Sequence, residues 1–318
     1  MLHLLFLIAG LGLTLMAANW LVDGSASIAK RLNVSDMVIG LTIVALGTST
    51  PELAINIFSA IEGSTALAIG NVLGSNIANI LLILGVASLV GPLVVSQNTI
   101  WKDIPFSFMG VLVLGFMAND MWSGVGDETN FISRTDGLIL LCFLVIFIVY
   151  TFEMARSYPQ ETEEVAVMSV GKSILLTLVG IVGLFIGGKL LVDGAIGLAE
   201  MAGISERVIG LTVVAIGTSL PELAAAVVAA KKGKTDLAIG NVMGSNILNI
   251  FLILGVTATI HPMPFEAAAN LDLSLVMLAS LLLFGAIFMY NPRRIGKRAG
   301  VIFVALYIIY LVVLVVMK

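Results

Sequence analysis

The sequence predicts an all-α polytopic membrane protein with ten transmembrane helices, arranged as two inverted five-helix repeats in which helices 2 and 7 are broken. Three observations lead to this fold class. The 318 residues have a mean hydropathy of +1.11 and only 11% charged residues, whereas soluble domains have roughly 25%. Ten apolar stretches are long enough to cross a bilayer. The second half of the chain also repeats the first, with the charge of the loops reversed.

A helix that spans the hydrocarbon needs about 20 predominantly apolar residues. The first apolar stretch has no basic segment before it, so we interpret it as a membrane helix and not as a cleaved signal peptide. The ten stretches, numbered spans 1 to 10, are 3–29, 36–61, 66–90, 103–119, 134–153, 170–200, 207–230, 237–261, 270–289 and 297–317.

Basic residues concentrate in alternate loops. Most of the lysines and arginines lie in or beside the loops that follow spans 1, 3, 5, 7 and 9. Loops of this kind face the cytoplasm, so we expect an integral protein of the plasma (inner) membrane with both termini outside. The basic side chains of these loops are Lys30, Arg31, Lys102, Arg156, Lys172, Lys231, Lys232, Lys234, Arg293, Arg294, Lys297 and Arg298.

The internal repeat is long and free of gaps. Gly40–Gly85 aligns with Gly210–Gly255, and 31 of the 46 positions are identical. Each half has an odd number of spans, so the second half enters the membrane from the opposite side. The loops agree, since AKRL after span 1 is basic and its counterpart GISE after span 6 is not. The sequence therefore predicts inverted repeats at 1–153 and 170–318, joined by a cytoplasmic linker at 154–169.

Spans 2 and 7 carry the motifs GTSTPEL and GTSLPEL in the middle of apolar sequence. Pro51 and Pro221 cannot donate to the helical ladder, and their rings clash with the preceding turn. Glu52 and Glu222 follow at once, and each is costly at that depth unless it is paired or solvated. We therefore predict that span 2 breaks near residues 48–50 and that span 7 breaks at the equivalent positions.

Inverted repeats would bring the two breaks together near the membrane midplane. Carboxylates, hydroxyls and freed carbonyls are hard oxygen ligands, which suit Ca²⁺ or Na⁺ better than zinc or copper. Spans 3 and 8 add polar side chains at every fourth position, which places them on one helix face. Asn76 and Asn246 lie one position off this face, and we interpret them as structural residues. The face comprises Asn71, Ser75 and Asn79 in span 3 and Asn241, Ser245 and Asn249 in span 8.

The paired motifs GTSTPEL with GNVLGSNIANI and GTSLPEL with GNVMGSNILNI resemble those of the sodium/calcium exchanger family, prokaryotic type, of the calcium:cation antiporter superfamily. The resemblance implies a secondary antiporter that exchanges Na⁺ for Ca²⁺ by alternating access, without enzymatic activity or a cofactor. It implies that Glu52 and Glu222 are the central ligands of both ions. The other implied ligands are the backbone carbonyls of Ala45, Thr48, Ala215 and Thr218 and the side chains of Ser49, Ser219, Ser75, Ser245, Asn79 and Asn249.

Some relatives in this superfamily carry Asp at the position of Asn249, so the site predicted here has only two carboxylates. One Ca²⁺ would balance them, whereas three Na⁺ would leave one positive charge, so exchange at 3:1 would be electrogenic. We expect the protein to work as a monomer in the lipid bilayer, with H⁺ as a competitor of Na⁺ and Ca²⁺ and with no nucleic-acid partner.

Other functions remain open at this stage. A proton-coupled Ca²⁺/cation antiporter on the same fold is the nearest alternative, because buried carboxylates can also carry protons. An intramembrane protease is disfavoured, since neither His3 nor His261 lies near the repeated motifs. A passive channel fits less well than alternating access, because only two helices, related by inversion, are predicted to break.

Overall fold

We describe a computed structural model of the chain. The described residues are 2–63, 65–119, 130–157, 168–201, 217–289 and 293–317. The first part of span 7, including Ala215, lies outside them, as do most of the predicted linker and part of the loop between spans 4 and 5.

Helices occupy all ten predicted spans, with span 7 represented by its second part. Among the described residues, eight helices are long and apolar enough to cross a membrane, and a bent pair of helices forms a ninth candidate. Boundaries differ from the predicted ones by a few residues. The helices are Leu2–Leu32, Asp36–Thr48 with Thr50–Ile61, Thr65–Val90, Thr99–Met117, Arg134–Ser157, Val170–Met201, Leu220–Lys231, Thr235–Ile260, Ala269–Met289 and Lys297–Met317.

The predicted break in span 2 is confirmed. The first helix ends at Thr48 and the second begins at Thr50, with a bend of 47° between them. Pro51 lies in the first turn of the second helix, where a missing N–H is tolerated. The second part of span 7 begins in the same way, with Pro221 in its first turn.

Four two-residue strands, which sequence reasoning did not predict, connect loops at the two ends of the protein. Strand β1 (Leu93–Val94) pairs with β4 (Arg294–Ile295), so the loop after span 3 meets the loop after span 9. Strand β2 (Phe131–Ile132) pairs with β3 (Met263–Pro264), so the loop after span 4 meets the loop after span 8. The strands β1 and β4 lie in two of the loops where basic residues concentrate, and β2 and β3 lie in two of the other loops. The strand pairs therefore assign these loops to the same two ends of the protein as the basic residues do, which agrees with an inverted repeat.

Spans 1 and 6 pack together as an antiparallel pair whose contacts are themselves repeated. A Cβ at Gly10 would lie 2.5 Å from the backbone nitrogen of Leu191, and one at Gly180 would lie 2.6 Å from that of Leu21. The two contacts join equivalent positions of the two repeats. Small residues that let helix backbones approach are typical of membrane interfaces. The glycines of these spans therefore hold the two helices against each other.

Spans 3 and 8 form the centre of the protein. In their apolar segments 78% and 94% of the residues are buried, whereas the values for spans 5 and 10 are 22%. Both central helices widen into a π-helix at the same place, over Ala78–Ile83 and Asn249–Leu254. Single-turn π segments of this kind are frequent at functional sites.

Candidate cation site

The serine that precedes the second helix of span 2 and the serine at the equivalent position of span 7 have the same backbone geometry. Ser49 has φ −87° and ψ 6°, and Ser219 has φ −90° and ψ 6°. Two residues later a proline offers no N–H, so the carbonyls of Gly47 and Gly217 lack their usual helical donor. Each half-helix then begins with a glutamate in its first turn, where the helix dipole favours negative charge. The repeated sequence therefore builds the same half-site twice.

Glu52 and Glu222 are both buried, with 1% and 2% of their surface exposed. Ser49, three residues before Glu52, donates to Glu222, so the two carboxylates belong to the same region of the protein. The two salt bridges among the described residues involve other carboxylates. The Oε2 atoms of both glutamates are buried without a hydrogen-bond partner. Since unpaired buried charge is costly, these two carboxylates provide a place for a cation.

Ser49 connects the first break to the second repeat. Its hydroxyl donates to Glu222 Oε1 at 3.0 Å and lies 2.9 Å from the hydroxyl oxygen of Ser245. Ser219, the equivalent of Ser49, is buried, and its hydroxyl has no partner within the described structure. Ser75 is also buried, on the predicted polar face of span 3. The structure thus brings Ser49, Ser245 and Glu222 into direct contact.

Thr48 is buried beside this group. Its hydroxyl donates to Asn241 Oδ1 at 3.1 Å, and it lies 3.3 Å from the carbonyl of Ala45. That carbonyl also accepts the backbone N–H of Ser49 at 2.9 Å. Thr218 is half-buried at the break in span 7. The equivalent alanine, Ala215, lies outside the described residues, so its predicted role stays a prediction.

Asn79 and Asn249 are both 1% exposed, at the start of the two π segments. Their Nδ2 atoms donate across the repeat interface, from Asn79 to Asn246 Oδ1 and from Asn249 to Asn76 Oδ1, each at 2.9 Å. Their Oδ1 atoms are buried and have no hydrogen-bond partner. Each amide is therefore held by its donor end, and its acceptor end remains available to a ligand.

The unpartnered oxygens define the chemistry of the site. Among the predicted ligands, two carboxylate oxygens, two amide oxygens and the hydroxyl of Ser219 are buried without partners. No group of three His, Cys, Asp or Glu side chains suited to a metal occurs in the described ranges. An oxygen-only set of this kind suits hard cations such as Ca²⁺ and Na⁺. A site with only two carboxylates can bind such ions and also release them.

Three asparagines outside the predicted set of ligands contribute to this site: Asn241, which the sequence places on the polar face, and Asn76 and Asn246, which were interpreted as structural. Asn241 binds Thr48 and donates to the backbone carbonyl of Glu222 at 3.5 Å. Asn76 and Asn246 hold the two predicted amide ligands. All three have an asparagine at the equivalent position of the other repeat, and that recurrence is the signal that could have identified them.

A buried oxygen site between two broken helices, related by inversion in a multi-pass membrane protein, defines a cation transporter and not an enzyme. The sequence matches the sodium/calcium exchanger protein family over residues 2–153 and 172–316. The chain belongs to this family.

Relatives of known sequence or structure match the chain over nearly its whole length. The chain is 38% identical to the putative antiporter CaxA of Alkalimonas amylolytica, over 96% of each chain. It is 33% identical to the sodium/calcium exchanger MaX1 of Methanosarcina acetivorans, over 98% of each chain. A structure of the sodium-calcium exchanger NCX_Mj, soaked with Na⁺ and Ca²⁺, superposes with a TM-score of 0.80 at 34% identity and covers 97% of each chain. The fold is thus that of a cation/Ca²⁺ exchanger.

Proposed function

We propose that this protein is a secondary antiporter that exchanges Na⁺ for Ca²⁺ across the plasma (inner) membrane by alternating access. One observation carries the proposal. Glu52 and Glu222 are both buried, each with an unpartnered carboxylate oxygen, and Ser49, at the break before Glu52, donates to Glu222. Two carboxylates balance the charge of one Ca²⁺. The names of MaX1 and NCX_Mj as sodium/calcium exchangers support the same pair of ions.

The ligands of the proposed site come equally from both repeats. Glu52 and Glu222 are its centre, the serines and the two amide oxygens surround them, and the backbone carbonyls at the helix breaks complete the shell. These carbonyls belong to Ala45, Thr48, Ala215 and Thr218, and the side chains belong to Ser49, Ser219, Ser75, Ser245, Asn79 and Asn249.

Exchange of three Na⁺ for one Ca²⁺ would carry one net charge in each cycle. At about 2.3 kcal/mol per elementary charge and 100 mV, such exchange would respond strongly to membrane potential. The absence of a third acidic ligand, with Asn249 in place of Asp, is consistent with a site that is neutral with Ca²⁺ and positive with three Na⁺.

The moving part in this proposal is the pair of spans 1 and 6. Side chains of span 6 lie against both breaks, since a Cβ at Gly47 would clash with Ile181 and one at Gly217 with Val192. These contacts involve apolar side chains, which can slide without breaking a hydrogen bond. Movement of the pair across the breaks would then open the site to one face of the membrane at a time.

Uptake of radiolabelled Ca²⁺ into proteoliposomes tests the proposal. Vesicles loaded with Na⁺ and diluted into Na⁺-free medium should accumulate Ca²⁺, and vesicles loaded with K⁺ should not. A valinomycin-clamped potential, negative or positive inside, should change the rate, because net charge moves. An uptake rate indifferent to voltage would rule out 3:1 exchange.

The same assay distinguishes the nearest alternative. Uptake that ignores internal Na⁺ but follows an imposed pH gradient would make the protein a proton-coupled Ca²⁺ antiporter, with the same fold and the same glutamates. Uptake that depends on neither gradient, and that continues until Ca²⁺ equilibrates, would indicate a channel.

A further inference from the structure

The four asparagines at the centre of the protein form two hydrogen-bonded pairs that cross between the repeats. Asn79 of span 3 donates to Asn246 of span 8, and Asn249 of span 8 donates to Asn76 of span 3. Both distances are 2.9 Å, and the two bonds join equivalent positions of the two repeats. The residues are 0–1% exposed, so water does not compete for these bonds.

An asparagine amide can face a cation with its oxygen or, when it is flipped, with its NH₂ group. Only the first orientation binds a cation. In each pair the bond occupies the donor end of the amide, so the free Oδ1 of Asn79 or Asn249 is the end that remains for a ligand. A flip would bring two acceptor oxygens together in a buried site, which is unfavourable.

Asn76 is itself held in place. Its Nδ2 lies 3.4 Å from the backbone carbonyl of Asn246, to which it donates. This bond turns Asn76 Oδ1 towards Asn249. The orientation of Asn249 is thus set by a side chain of the other repeat that is itself anchored to the backbone, whereas the Nδ2 of Asn246 has no hydrogen-bond partner among the described residues.

We infer that Asn76 and Asn246 are positioning residues of the cation site, which fix the amides of Asn79 and Asn249 with their oxygens towards the bound ion. The inference rests on the proposed function, in which the two amides are ion ligands. It assigns a functional role to two side chains that sequence reasoning interpreted as structural.

Double-mutant cycles on Ca²⁺ binding test this role. The variants are Asn76→Leu and Asn246→Leu, which keep the branching of the side chain but remove both its acceptor and its donor, combined with Asn79→Ala and Asn249→Ala. Binding is measured on the purified full-length protein with radiolabelled Ca²⁺ at equilibrium, alongside thermal unfolding. Each leucine variant should weaken binding about three- to tenfold, the value of one hydrogen bond.

The cycles separate positioning from packing. If Asn246 acts only through Asn79, adding Asn246→Leu to Asn79→Ala should weaken binding no further than about twofold. The same should hold for Asn76→Leu added to Asn249→Ala. In the crossed combinations, Asn76 with Asn79 and Asn246 with Asn249, the two effects should multiply. A residue that merely packs spans 3 and 8 together would couple equally to both partners.

Two results would overturn the inference. One is multiplicative loss in the cognate pairs, and the other is equal coupling in cognate and crossed pairs. Sodium-driven uptake, measured on the same preparations, keeps the two proposals apart. A wild-type protein that binds Ca²⁺ but does not exchange it for Na⁺ would refute the exchanger proposal while the cycles still decide the role of the asparagines. A wild-type protein that binds no Ca²⁺ would overturn both.

Discussion

The centre of the protein keeps the symmetry of its two repeats, and the ends do not. At the centre, Glu52 and Glu222 follow breaks with nearly identical dihedral angles. At one end Asp23 pairs with Lys232 at 2.6 Å, but the equivalent positions hold two acids, Asp193 and Glu62. The proposed site accepts the same ion from both sides and so needs matching halves, whereas the two ends are expected to face different compartments and are free to diverge.

Substitution of either glutamate should have the strongest effect, and it tests whether the two half-sites contribute equally. Glu52→Gln and Glu222→Gln should each reduce Na⁺-driven Ca²⁺ uptake by about 100-fold or more, because an unbalanced charge in a buried site costs about 3 kcal/mol or more. Initial rates in proteoliposomes measure the loss. Glu153→Gln, in an exposed position of span 5, is the control and should behave as wild type. Retention of uptake by only one of the two variants would show that the halves are not equivalent.

The second prediction concerns the packing of span 1 against span 6, whose closest contacts are equivalent in the two repeats. Gly10→Ala and Gly180→Ala should each destabilise the protein by about 1–3 kcal/mol, because the added methyl groups would meet the backbone of the partner helix. Gly12→Ala is the matched control, since a Cβ there meets nothing within 4 Å. Thermal unfolding in detergent reports the difference.

The two glycine variants also report whether the two repeats contribute equally to this packing. Equal losses in Gly10→Ala and Gly180→Ala would indicate a pair that is symmetric in energy as well as in geometry. A destabilisation of Gly12→Ala as large as theirs would contradict the packing described for spans 1 and 6.

The symmetric centre could be predicted from sequence because its signals are local. A proline interrupts a helix when it lies in the helix interior, and a glutamate beside it in apolar sequence needs a cation or a partner. The internal repeat then implied the second half of the site. The structure confirms the break between Thr48 and Thr50 and the burial of both glutamates.

The features that the sequence did not reveal depend on contacts between distant elements. The bonds of Asn76 and Asn246 require that spans 3 and 8 cross at those residues, which no helical periodicity specifies. The partner of Asp23, Lys232, belongs to the other half of the chain. An ion pair between Asp23 and Lys232 therefore cannot be predicted from the sequence of either span alone.

The weakest effect is expected from loss of the ion pair between Asp23 and Lys232, which lies at the end of the protein predicted to be cytoplasmic. Lys232 follows span 7 and Asp23 belongs to span 1, so the pair connects the spans proposed to move with the part that holds the site. It should favour the state in which this end is closed, but by no more than about 1 kcal/mol, because both side chains are partly exposed. Asp23→Asn or Lys232→Gln should therefore change the Ca²⁺ affinity measured at this face by at most about fivefold.

Reversal of the charges separates this pairing from a general effect of surface charge. Asp23→Lys with Lys232→Asp should restore the wild-type affinity at this face, while Asp23→Lys alone should shift it furthest, because two lysines then repel each other. Glu62→Lys places a lysine at the position equivalent to Lys232, and this lysine should pair with Asp193, the equivalent of Asp23, in the state in which that end is closed. It should then favour closure there and lower the apparent Ca²⁺ affinity at that face. Unchanged affinities at both faces in all these variants would mean that the ends differ in charge for reasons of membrane insertion alone.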